Sequence, residues 1–109
     1  MTYQNINTLI SGIGLPYAYY QFNEGTVQAP PFICFFYSDN NDVLADNTNY
    51  QTVVTLNIEL YTDAKDFQNE SLIEAALTGA GLVFSKSEVF IESERLHETI
   101  YTMEVIING

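Results

Sequence analysis

An α+β domain, two helices packed on a mainly antiparallel sheet of about five strands, is predicted by three features of this 109-residue sequence. Apolar residues recur at helical spacing in two short segments and in alternation in longer ones, with turn-forming residues between them. The apolar content is aromatic, with 8 Tyr and 7 Phe but no Trp, and both residue types favour half-buried strand faces and protein contacts. With 47% hydrophobic residues, the chain fits a single domain, 1–109, that buries roughly two-thirds of its unfolded surface.

The first helix follows from Ile6, Leu9, Ile10 and Ile13, after which Gly12, Gly14 and Pro16 stop the pattern. Two aromatic strands come next, over 17–22 and 32–37, separated by Asn23-Glu24-Gly25 and by Pro30-Pro31; the second is nearly all apolar and reads as central. Residues 38–49 are rich in Asp and Asn, whose side chains bond their own backbone, so a loop or an excursion of the sheet is expected there. Tyr50 to Tyr61 alternates cleanly, with Thr52, Val54, Leu56, Ile58 and Leu60 on one face and Val53, Thr55, Asn57 and Glu59 on the other. Asp66 caps a second helix carrying Phe67, Leu72, Ile73, Ala76 and Leu77 inward, with Glu70 and Glu74 on its wet face and Gly79 and Gly81 at its end. Alternation leaves open which sheet face this helix covers. Val83–Glu92 and Leu96–Ile107 form the last two strands, the latter with His97, Thr99, Tyr101, Met103, Val105 and Ile107 on one face. There is no internal repeat and no linker.

The charge is unusual through a shortage of cations. Asp and Glu number 14, but Lys and Arg only 3, giving a formal net charge of −11. Such a surface repels phosphate backbones and anionic lipid, which are held by clustered Lys and Arg, so no direct nucleic-acid affinity and no membrane partner are expected. The N-terminal stretch lacks a basic region and an apolar run long enough for a signal core, and a reducing intracellular setting is expected. Cys34 is the single cysteine, which excludes an intrachain disulfide and multi-thiolate zinc sites.

Catalytic chemistry finds little to stand on. His97, the single histidine, reads as a half-exposed strand residue, and Glu98 beside it points to the opposite face. Cys34 lies in the apolar run 31–36, where burial suppresses the thiolate a Cys-His nucleophile needs. An EF-hand loop beginning at Asp39 fails where Val43, Leu44 and Tyr50 stand, so 39–47 reads as a solvated acidic turn. Gly12 and Gly14 lack the third glycine of a dinucleotide fold, and no Walker lysine follows. Glu92 and Glu94 share a strand-face parity but sit at a hairpin tip, as an interface charge does. No catalytic, cofactor or metal residue is assigned, and no cofactor is expected.

The stretch NIELYTDAKD, the short helix after it and SEVFIESERLHETIYTMEVII, with LPYAYYQF and PPFICFFYSDN upstream, resemble the small tail-completion or tail-terminator proteins of long-tailed phages and prophages of Gram-positive bacteria. The resemblance implies an α+β domain without catalysis. It implies a homo-oligomer, a hexameric ring, that caps the tail tube and meets the head connector, assembled in the host cytoplasm and located in the virion tail. Self-association is expected through sheet edges, with 50–61 or 96–107 at an edge, and through 38–49. Asp39, Asp42, Asp46, Glu92 and Glu94 are the candidate acids for a channel wall or a partner surface. An acidic adaptor or another head-tail joining component is the alternative, followed by a DNA-mimic inhibitor, which needs acids at duplex-phosphate density.

Overall fold

The computed structural model describes residues 1–22, 28–45 and 49–108, with the backbone alone at 39–45 and 49–51. Its elements are α1 (Tyr3–Ser11), β1 (Tyr17–Tyr19), β2 (Phe32–Ala45), β3 (Asn49–Thr62), α2 (Phe67–Gly79), β4 (Ser85–Ile91) and β5 (Leu96–Ile107). The strands form one sheet in the order β1-β2-β3-β5-β4, antiparallel except for β1 beside β2. The α+β class and the element count agree with the sequence.

Local chemistry sets the helix ends. Thr2 and Asn5 form a reciprocal capping box, Asn5 N–H donating to Thr2 Oγ1 at 3.0 Å and Thr2 N–H to Asn5 Oδ1 at 2.8 Å. Asp66 accepts from Asn69 N–H at 3.0 Å and caps α2. At its far end Gly81 adopts φ +77, a left-handed turn that spares glycine the Cβ clash, and Leu82 N–H reaches back to the Leu77 carbonyl at 3.0 Å.

The β3 alternation decides which face is core. Val54, Leu56, Ile58 and Leu60 are buried with Ile33 and Phe35 of β2 and Tyr101, Met103 and Val105 of β5. Ile6 and Ile10 of α1 and Ile73 and Leu77 of α2 close the same cluster, so both helices lie on one side of the sheet. Strand parity sends Phe32, Cys34, Val53, Glu59, Tyr61, Glu98 and Ile100 to the other side, which no helix covers among the described residues and on which Tyr20 and Phe22 pack against Phe36 and Phe32.

One alternative is decided and three expectations are corrected. The Asp- and Asn-rich stretch is an excursion of the sheet through Ala45 rather than a loop: Asn40 to Ala45 pair with Val54 to Asn49, and a bulge between Tyr37 and Asn40 absorbs the extra residue. The regular β3 partner overrides the turn preference of these residues. In α2, Glu70 is 2% exposed whereas Phe67 is 73% and Leu72 46% exposed. Ile73 and Leu77 set the inward stripe, Glu70 falls on it one turn earlier, and Leu72 falls behind it. β1 stops at Tyr19 because Tyr20 takes φ 71, outside the extended range. Finally, β3 and β5 are interior strands, so neither offers the expected edge.

A 14-residue strand spans about 47 Å, and β2 and β3 run along the 51 Å long axis of the molecule. Beyond Thr52, which pairs with Ile107, β2 and β3 continue with only each other as partners.

Candidate assembly surfaces

The covered side of the sheet absorbs both lysines. Lys65 and Lys86 each place Nζ 2.8 Å from Glu70 Oε1 beneath α2. Lys86 also reaches Glu74 at 2.7 Å, Lys65 pairs with Glu88, and His97 Nε2 lies 3.0 Å from the same Glu88 carboxylate. Tyr101 donates its hydroxyl to Glu74 Oε2 at 2.8 Å, and Thr99 donates to Glu70 Oε2 at 3.4 Å. Burial pushes the Glu70 carboxyl up, but the two ammonium groups outweigh it and hold the acid below the ordinary range. Lys86 is raised to about 12 by Glu70 and Glu74. Glu70, Glu88 and His97 have ligand atoms within 4.8 Å of one another, a spacing that suits a metal, but the Lys65 ammonium bonds both carboxylates and supplies the positive charge there. This network pins α2 to β4 and β5.

The bare side carries acids without such partners. Glu59 on β3 and Glu98 on β5 flank Tyr61, whose hydroxyl lies 3.0 Å from Glu59 Oε1 and 3.1 Å from Glu98 Oε2. Glu98 is only 8% exposed. Burial first, then hydrogen bonding and charge from Glu98, push Glu59 up to about 7. No Lys, Arg or His among the described residues pairs with either carboxyl. The Tyr61 ring stacks on Phe32 at 4.9 Å between centroids, and Phe22 meets Phe32 edge-on at 5.4 Å. A cleft of about 370 Å³ opens beside them, lined by Tyr20, Phe22, Phe32, Cys34, Tyr61 and Glu94 among others. Sequence reading missed this constellation; the signal was there in the odd-numbered positions of β3, where an acid and a tyrosine face a β5 acid once the register is known.

Cys34 also faces this side, its thiol buried and pushed up to about 11 by desolvation and then by the charges of Glu59 and Glu98. His97 has the opposite parity and faces the helix side, so no relay joins the two. The partner of His97 is Glu88 across the strand, not Glu94 or Glu98.

Among the described residues, the open backbone edges are the outer side of β4 and, at the other margin of the sheet, the outer side of the short β1 and that of β2 past Phe35, where β1 ends. Val89 and Phe90 are exposed on β4. The candidate acids divide between the two ends of the sheet. Glu92 and Glu94 are exposed in the β4–β5 turn, at the end where Thr62 pairs with His97. Asp39 and Asp42 lie in β2 on the way to the opposite end, with Asp42 paired to Thr52, and Asp46 falls outside the described residues. The ten residues from Thr52 to Thr62 separate the ends by about 34 Å. No described helix is long and apolar enough to cross a membrane.

No family model and no curated protein matches the chain. Among solved structures, it is similar to a chain of the virion of a native gene transfer agent particle, with a TM-score of 0.65 and 19% identity over 98% of this chain and 91% of that one.

Proposed function

We propose that this chain is a structural, non-catalytic virion protein of a phage or phage-like particle, a single domain over 1–109 that completes or terminates the tail tube and helps join it to the head connector. The observation that carries this reading is the fold shared with a gene transfer agent virion chain over nearly the full length of both. The sequence resemblance to tail-terminator proteins points the same way.

A ring fits the topology. β4 runs antiparallel to β2 and lies level with β3 from Asn57 onward, whereas the free part of β2 lies level with Leu56 to Asn49, so repeating the subunit with a shift along the strands sets the free edge of β4 against the free edge of β2 in the next copy, again antiparallel. Seven β4 residues meet the nine from Tyr37 to Ala45, a match of lengths that continues one sheet around a head-to-tail assembly. A hexamer is taken from the resemblance. The two acidic ends then have separate roles, one toward the DNA path, where a wall without cations keeps the duplex mobile, and one toward a partner.

Deleting the gene in a producing strain tests the reading by electron microscopy of the particles. Unjoined heads, with tails of irregular length or unfinished ends, are expected. Normal joined particles sink it. Pull-down with purified tail tubes and connectors separates the alternatives: capture by neither, with particles still defective, points to the acidic adaptor.

A further inference from the structure

We infer that neighbouring copies of this chain join in one strand register, with Phe90 of one copy opposite Tyr37 of the next and its ring seated on the tyrosine cluster beside α1. This rests on the side-by-side repeat proposed above and names the contact that fixes it.

Backbone direction limits the choices. Ile33 donates its N–H to the Pro16 carbonyl and Phe35 accepts from Tyr20, so these β2 residues turn their peptide groups away from β3, and alternation carries the same direction to Tyr37 and, past the bulge, to Asn40 and Asp42. Tyr20 takes φ 71 and leads the chain off the sheet, which opens β2 from Tyr37 onward. The same alternation through β3 and β5 turns the peptide groups of Lys86, Glu88 and Phe90 to the outer side of β4. Those three pair with Tyr101, Thr99 and His97 on the helix side, where Tyr37 also lies as the partner of Leu56. Residues that exchange hydrogen bonds across an antiparallel pair share a face, so the joined sheet keeps the helices of both copies on one side.

The offset selects among the registers that remain. Within one copy Phe90 is level with Thr62 of β3 and Tyr37 with Leu56, so pairing Phe90 with Tyr37 displaces successive copies by six residues. That is about 20 Å over four strands about 4.8 Å apart, a strand tilt of about 45° in a closed sheet, at the upper end of the usual barrel range. Pairing Phe90 with Asn40 steepens the tilt to about 54°, outside that range. Sliding the other way is blocked by β1, which occupies β2 at Phe35. Charge agrees: the Tyr37 register sets Lys86 opposite Asp42, whereas the Asn40 register sets Glu88 there.

The seat is already built. Tyr3 meets Tyr37 edge-on at 5.0 Å between centroids, Tyr19 lies 5.8 Å from Tyr37, and Tyr3, Tyr19 and Phe90 are each about half exposed in the single chain. The Tyr37 N–H makes only a long 3.5 Å contact with the Tyr19 hydroxyl, which the Phe90 carbonyl replaces. Burying Phe90 among three tyrosines gives the contact its aromatic anchor.

Disulfide trapping tests the register. The full chain carrying Phe90→Cys and Tyr37→Cys, assembled at high concentration in salt that screens its charge, is expected to form a reducible ladder of linked copies on mild oxidation, because residues paired in this way lie within the Cα separation a disulfide spans. The parent, with buried Cys34 alone, is expected to form none. In the otherwise unaltered chain Phe90→Ala is expected to melt as the parent does and to weaken self-association about thirtyfold by sedimentation. A ladder from Phe90→Cys with Asn40→Cys instead, assembly of the folded chain without a ladder, a monomer under these conditions, or parental assembly of Phe90→Ala overturns the inference. A failed ladder with unjoined particles on gene deletion removes the register alone; a ladder with normal joined particles removes the tail-joining role and leaves the register.

Discussion

The two faces of this sheet solve the same problem in opposite ways. Each carries acids that are partly or fully buried, on α2 on one side and on β3 and β5 on the other. On the helix side Glu70 is matched by Lys65 and Lys86, and its titration moves down; on the bare side Glu59 meets only Glu98 and a phenol, and its titration moves up. A protein with so few cations has used both lysines to hold its own helix in place. Among the described residues the acids of the other side are left without a cation, because both lysines are engaged beneath α2.

The contrast is sharpest in packing. Leu77→Ala is expected to cost about 2 to 5 kcal/mol by lost transfer energy and a cavity, since Leu77 is fully buried against the sheet. Leu72→Ala, on the far side of the same helix, is expected to stay within about 0.5 kcal/mol. Denaturant melts of both variants check this, and equal losses would contradict the helix orientation.

Removing the acid at the centre of each face separates them further. Glu70→Ala strands two ammonium groups that are partly exposed and can turn to water, so a loss of about 1 to 3 kcal/mol at neutral pH is expected. Glu70, Glu74 and Glu88 have lowered folded-state titrations, so their stabilisation is fully present above the unfolded value of about 4.3 and is lost as pH falls through the folded values. Acid unfolding of Glu70→Ala should accordingly show a shallower slope below pH 4.5.

Glu59 carries the reverse sign. Its folded value lies above its unfolded one, so the native state binds the extra proton and stability falls as pH rises from about 4.3 toward 7. Glu59→Gln removes this penalty and is expected to raise stability by about 1 to 2 kcal/mol at pH 8 while leaving it unchanged below pH 4. A variant less stable than the parent at pH 8 would mean the ionised pair is already neutralised in the free chain.

Strand periodicity made most of the covered face legible. The even positions of β3 and the odd positions of β5 announce a core before any coordinates, and the Asp66 cap and the glycine stop bound α2. Helix phase was not legible. Phe67 and Leu72 are larger and more apolar than Glu70, and only the lysines at 65 and 86, brought in from outside the helix, explain why an acid occupies the inward stripe. The same long-range dependence hid the bare-face site, because Glu59 and Glu98 meet through a register that no local pattern specifies. The acidic stretch 38–45 misled for a related reason: its residues favour turns, but its partner strand does not.

The smallest stability effect belongs to the acids that face neither side of the core. Glu92 and Glu94 are exposed in the β4–β5 turn, where a carboxylate makes no ion pair among the described residues and gains little from neighbours in high dielectric. Glu92→Lys with Glu94→Lys should leave the melting midpoint within the range of about 0.5 kcal/mol that surface changes usually span. Their effect should instead appear between molecules. If this end of the sheet meets a basic partner or the DNA path, the reversal adds four units of positive charge per subunit, repeated around any ring, and head-tail joining or DNA passage should fall sharply in a phage-assembly assay while the free protein melts as before. Full infectivity with unchanged stability would assign these two acids to solubility alone.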